Sequence, residues 1–145
     1  MTVLAWDGRI LACDRQTTVG EMKVETQKLV LLPELRTAMA CAGDAGRCRG
    51  FAHWVANGRN ADDFPSWQTD IATAVDVLMV VDGVPYIYNM APFAIAVLSQ
   101  FLALGSGSDI AVGAMAMGAN AVEAVQITNR ISPHCGMGVS WAICR

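Results

Sequence analysis

"MTVLAWDGRILACDRQ" (residues 1–16) decides the architecture of the chain. Two apolar runs flank an Asp7–Gly8 pair, which predicts strands over 2–6 and 9–14 joined by a tight hairpin turn. Chain ends are loose unless something ties them down, so a hairpin starting at residue 2 raises the question of what Thr2 is held for. A β-branched residue starts a strand comfortably, but it also carries a hydroxyl. Cutting the Met1–Thr2 bond would set that hydroxyl beside its own α-amine, whose ordinary pKa of ~7.7–8.0 suits a general base. The antiparallel return places Asp14 across from the start of the first strand, within reach of Thr2.

Working outward, "RQTTVGEMKVETQ" is polar and reads as a loop or irregular arm. "KLVLLP" and "RTAMACAG" make a second strand pair around Pro33–Glu34, and "GDAGRCRGFAHWVANG" makes a helix. Asp44 is its N-cap, Phe51, Trp54 and Val55 share one face, and Gly58 stops it. "TAVDVLMVVDG" and "VPYIYNM" form a third hairpin turning at Asp82–Gly83. "FLALGSGSD" is a strand entering a glycine-serine turn. Two short helices broken near Gly118 follow, the second capped by Asn120, and "CGMGVSWAIC" is the last strand. Strands and helices in this order predict α+β layers within one domain, 1–145.

Composition narrows the function classes. The 145 residues are 54% hydrophobic and 16% charged, with net charge −3. That balance fits a chain with a real core and leaves no nucleic-acid footprint. Residues 71–145 hold six charged side chains, too few to solvate a monomer surface, so this half is expected to pack against another subunit. "MAPFAIAVLSQFLAL" is shorter than the ~20 residues of a membrane-spanning helix. Five cysteines without a CxxC pair or a signal-peptide pattern predict reduced, mostly buried thiols in a cytoplasmic protein.

Four further groups could join Thr2 in chemistry. Asp14 and Lys28 could tune its hydroxyl, since an ammonium beside it favours the ionised form. Gly43, between strand and helix, could donate its N–H to an oxyanion. Ser106 in "GSGSD" (105–109) is a candidate to support the Thr2 amine. That loop is neither a P-loop, having no following lysine, nor a G-x-S-x-G elbow. His134 and Cys135 are adjacent, so their side chains diverge and form no dyad. His53 stands alone, and no zinc-ligand spacing is present. No metal or cofactor is expected.

The ordered set resembles the proteasome β-subunit and HslV family of N-terminal nucleophile hydrolases. The resemblance rests on Thr2 after Met1, "ACDRQTTVG", Lys28 in "TQKLVLL", "ACAGDAG", "LALGSGSD" and "NRISPHCGMGV". It implies a four-layer αββα sandwich assembled in six- or seven-membered rings. It also implies a threonine-type endopeptidase cutting peptides or unfolded proteins, with an ATPase unfoldase as a candidate partner. Thr2 would be nucleophile and, through its amine, base, with Asp14, Lys28, Gly43 and Ser106 in the roles given above. The chain departs from the pattern before the last strand, where Ile131 and His134 stand in place of an acidic residue and a serine. Ser132 and His134 are then the candidates to support the amine. Too few residues follow the helix at 44–58 for a second one, so one helical layer should be thin. The alternatives are a non-catalytic ring subunit on the same fold and a hydrolase of small amides.

Overall fold

The computed structural model describes residues 1–144. The opening hairpin consists of β1 (Leu4–Trp6) and β2 (Ile10–Asp14). Its turn is locked by Asp7, whose carboxylate accepts the N–H groups of Arg9 (2.9 Å) and Ile10 (2.7 Å). Gly8 supplies the positive φ of +97° that the reversal requires. β3 (Gln16–Val19) and β4 (Met22–Glu25) form a separate two-stranded ribbon. This corrects the expectation of a loop. Thr17 and Thr26 hydroxyls bond across its base, and near-complete exposure leaves it without the half-buried pattern that normally marks a strand.

Next come β5 (Val30–Leu32), a 3-10 turn at Pro33–Leu35, β6 (Thr37–Ala42) and α1 (Ala45–Ala56). Short 3-10 turns at 61–63 and 66–69 lead to β7 (Asp76–Val81) and β8 (Val84–Tyr88), which turn at Asp82–Gly83 as expected. β9 (Ile95–Ala96), β10 (Leu102–Leu104), α2 (Ser108–Ala116), α3 (Ala121–Ile131) and β11 (Val139–Ile143) complete the described order. The caps behave as read. Asp44 accepts the Arg47 N–H at 2.9 Å, and Asn120 and Glu123 form a reciprocal capping box.

Sheet I has strand order β10-β1-β2-β11 and sheet II β5-β6-β7-β8-β9. The two-residue alternation of strands sorts their side chains into three cores. Leu4, Trp6, Leu11 and Cys13 of sheet I meet Ala38, Ala40, Leu78 and Val80 of sheet II. On the outer face of sheet I, Val3, Ala5 and Ala12 meet Ala111, Met115, Ala121, Ala124 and Val125. Small residues on both sides there let α2 and α3 lie close to the strands. On the outer face of sheet II, Met39, Val77 and Met79 meet Phe51, Trp54 and Val55 of α1. Each fully buried large apolar side chain contributes about 1.5–3 kcal/mol. The result is the four-layer αββα sandwich, with one layer reduced to α1 alone. Phe64, just after the 3-10 turn at 61–63, and Trp67, in the one at 66–69, pack against α1's aromatic cluster.

One cysteine expectation is overturned. Cys41 on β6 and Cys48 in α1 are disulfide-bonded, because strand and helix bring their Cα atoms to 5.6 Å. Cys13 and Cys135 are buried free thiols and Cys144 is half-buried. Among the described residues no helix is long and apolar enough to cross a membrane.

Candidate active site

The site is assembled at one end of sheet I, from the strands on both sides of β1. Pairing of β1 with β2 sets Leu4 opposite Cys13, and one step further Asp14 donates its N–H to the Val3 carbonyl at 3.2 Å. Asp14 is therefore carried to the first residues of the chain by register alone. β10 pairs with the other edge of β1, Leu104 opposite Leu4, so the Gly105–Gly107 turn also arrives at Thr2.

Thr2 is 4% exposed. Its Oγ1 accepts a hydrogen bond from Lys28 Nζ at 2.8 Å, and the same ammonium donates to Asp14 Oδ1 at 2.8 Å and to the Met1 carbonyl at 3.2 Å. All three protons of the cation thus have acceptors. Asp14 is fully buried and is an acceptor four times over. Oδ1 also takes the Val3 N–H (3.2 Å), and Oδ2 takes the N–H groups of Gln16 (3.3 Å) and Gly136 (3.2 Å). A buried carboxylate is stable only when so satisfied. The pair therefore sets the Lys28 ammonium directly against the Thr2 hydroxyl.

On the other side, the Thr2 N–H donates to Ser106 Oγ at 3.2 Å, and that hydroxyl donates to the Thr2 carbonyl at 3.3 Å. The Gly107 N–H also donates to the Thr2 carbonyl at 3.2 Å. Gly105 must be glycine here. It has φ +93°, and a Cβ would lie 2.2 Å from the Thr2 carbonyl oxygen. With Met1 in place the Thr2 nitrogen is an amide.

Thr2, Lys28 and Gly43 line one cavity of about 650 Å³. Gly43, at φ +136°, is exposed there, and among the described residues its N–H donates to no other group. The structure thus brings Thr2, Asp14, Lys28 and Ser106 into one bonded cluster and sets Gly43 on the same cavity.

The region before β11 departs from the sequence expectation. His134 is exposed, its N–H donating to Ser132 Oγ at 3.2 Å, and Ile131 is 64% exposed. The buried group there is Cys135, 3% exposed and adjoining Gly107. Burial and the Asp14 charge push its thiol pKa up, while the hydroxyls of Ser132 and Ser106 beside the sulfur pull the other way. Ser132 is tied to the His134 backbone, and His134 is not brought to the site. Sequence reasoning missed Cys135 and the N–H groups of Gln16, Gly107 and Gly136. The glycines of "GSGSD" and "CGMG" were their signal, since close backbone approach excludes a side chain. Among the described residues no three His, Cys, Asp or Glu side chains gather as a metal site.

No protein-family model matches the sequence, and no curated protein is similar to it by sequence. Solved structures are similar in fold. Thiobacillus denitrificans BPH aligns with TM-score 0.73 at 19% identity, over 100% of this chain and 99% of that one. The same protein in complex with epoxomicin gives 0.72 at 20%, over 100% of both. Eukaryotic HslV from Trypanosoma brucei gives 0.71 at 18%, over 98% of this chain and 97% of that one. The fold of this chain, an αββα sandwich with Thr2 two residues before its first strand, is that of BPH and HslV.

Proposed function

We propose that the chain is a threonine-type amide hydrolase that cuts peptide bonds once Met1 has been removed, working as a subunit of a homo-oligomeric ring. The observation that carries this reading is the Lys28 ammonium, held 2.8 Å from both the Thr2 hydroxyl and a fully buried carboxylate. A buried lysine–aspartate pair is a poor source of stability by itself. Aimed at a hydroxyl at the wall of a cavity, it serves to favour an alkoxide.

In this mechanism the freed Thr2 amine, oriented by Ser106, accepts the hydroxyl proton as Oγ1 attacks the substrate carbonyl. The Gly43 N–H stabilises the oxyanion. The protonated amine then gives its proton to the leaving amine, producing an ester on Thr2. Water, deprotonated by the same amine, hydrolyses that ester and restores the hydroxyl. Peptides and unfolded chains are the substrates of this reading, the cytoplasm its setting, and an ATPase unfoldase the partner class needed for folded substrates.

Intact-mass measurement before and after exposure to epoxomicin tests it. The expected result is a chain lacking Met1 that gains one adduct, with both adduct and peptide hydrolysis lost in Thr2→Ala. Hydrolysis that survives Thr2→Ala sinks the assignment. A second reading, a non-catalytic ring subunit, draws on the Met1 carbonyl accepting from Lys28 at 3.2 Å. In that form the Thr2 nitrogen is an amide and no base is present. It expects Met1 to persist in the purified protein and no adduct to form.

A further inference from the structure

The cavity beside Thr2 is also lined by Cys41 and Cys48. Their disulfide spans seven positions of sequence, and the closed loop contains Gly43. Gly43 has the freest backbone of the groups assigned to the chemistry. It lacks a side chain, sits at φ +136° and is exposed to the cavity. Two features border it. On one side is Val75, so close that a Cβ on Gly43 would lie 2.8 Å from its Cγ1. Val75 is itself fixed by buried Gln68, which accepts its N–H at 2.9 Å and donates to its carbonyl at 2.8 Å. On the other side is the disulfide, which ties the first turn of α1 to β6 across the loop.

We propose that the Cys41–Cys48 disulfide is a positioning element of the active site, holding the Gly43 N–H in the direction that an oxyanion on Thr2 requires. The inference rests on the hydrolase reading above and adds redox control to it. Reduction by a dithiol transfers two electrons and two protons. The protein disulfide becomes two thiols and the reductant closes into its own cyclic disulfide. The loop then keeps Val75 beside it and the Asp44 cap after it, and loses its covalent tie. Outright removal of an oxyanion donor costs about 10²–10³ in kcat, and a donor left in place but untethered costs less, roughly tenfold. KM is expected to stay within about twofold, because Cys41 and Cys48 are the only side chains lining the cavity that change.

The test compares three preparations of the Met1-free protein: oxidised, treated with dithiothreitol, and Cys41→Ser/Cys48→Ser. Iodoacetamide mass labelling must show two additional reactive thiols after treatment. The expected result is a roughly tenfold fall in kcat in the reduced protein, matched by the double variant, whose kcat ignores the reductant. Amide exchange of residues 42–48 is expected to accelerate on reduction, a readout that needs no activity. Equal exchange of that segment in both redox states overturns the tether, as does an unchanged kcat or an effect on KM alone. If epoxomicin modifies none of the preparations, the hydrolase reading fails instead, and this proposal falls with it. The reduced wild-type arm keeps the test decisive should the double variant not fold.

Discussion

The two sides of the cavity are built by different physics. The nucleophile side is buried and overdetermined. Thr2 is bonded through its nitrogen, carbonyl and hydroxyl, and Asp14 accepts four donors supplied by Lys28, Val3, Gln16 and Gly136. The oxyanion side is an exposed glycine loop held by one packing contact, one helix cap and one disulfide. A nucleophile must be poised before substrate arrives, so its surroundings tolerate little freedom. An oxyanion donor must leave an N–H unpaired, and an unpaired N–H is tolerated where the chain is open to solvent. The nucleophile side should therefore answer to charge and burial, and the oxyanion side to local covalent and capping restraints.

The largest expected break in that comparison is Lys28→Ala. It leaves Asp14 buried without its cation, for which a loss of about 3 kcal/mol is expected, the low end for a broken buried pair because three N–H groups remain. Peptide hydrolysis should fall by ~10²-fold or more, the scale of losing one preorganised electrostatic contact. Urea unfolding and peptide kinetics measure the two effects. A variant with wild-type stability would show that the cluster is looser than its geometry implies.

Alkaline pH probes the same side more gently. Cys13, next to Asp14 on β2, has its thiol pushed up to about 12, by burial first and the Asp14 charge second. In the unfolded chain it ionises near its ordinary value of 9.0. Below that value both states hold the proton and its contribution to stability is complete. Between about 9 and about 12 the unfolded chain alone loses the proton, so stability falls by roughly 1.4 kcal/mol per pH unit. Denaturant unfolding at rising pH should show a steeper fall in the wild type than in Cys13→Ala, which keeps the smaller contributions of the other raised thiols. Equal slopes would remove Cys13 as its source.

The smallest effect belongs to the oxyanion side. Asp44→Ala removes the α1 N-cap, for which a loss of about 1 kcal/mol is expected. It also frees the turn after Gly43, so kcat should fall by a few-fold while Lys28-dependent stability is untouched. A stability loss as large as that of Lys28→Ala would erase the distinction between the two sides.

Much of this molecule was legible locally. The Asp7–Gly8 hairpin, the Asp44 and Asn120 caps, and the Asp82–Gly83 turn depend on neighbours a few residues away, and they form as read. The hairpin also set the Thr2–Asp14 proximity, because antiparallel register is counted out from the turn. The β3–β4 ribbon was misread because its burial pattern is exposed on nearly every residue, leaving no alternation to detect. The thin helical layer followed from chain length, but the aromatic packing of Phe64 and Trp67 did not.

The sequence by itself determined which groups with chemistry are present and in what order, since hairpins, caps and close-approach glycines are written in adjacent residues. Only the tertiary structure decided which of them converge. Ser106 reaches Thr2 across 104 positions and Gly136 reaches Asp14 across 122. It also set buried Cys135 rather than exposed His134 beside Gly107, and joined Cys41 to Cys48. Those outcomes depend on strand order and on the turn of α1 over β6. They arise from the packing of apolar faces far apart in the chain, which no short stretch of sequence encodes.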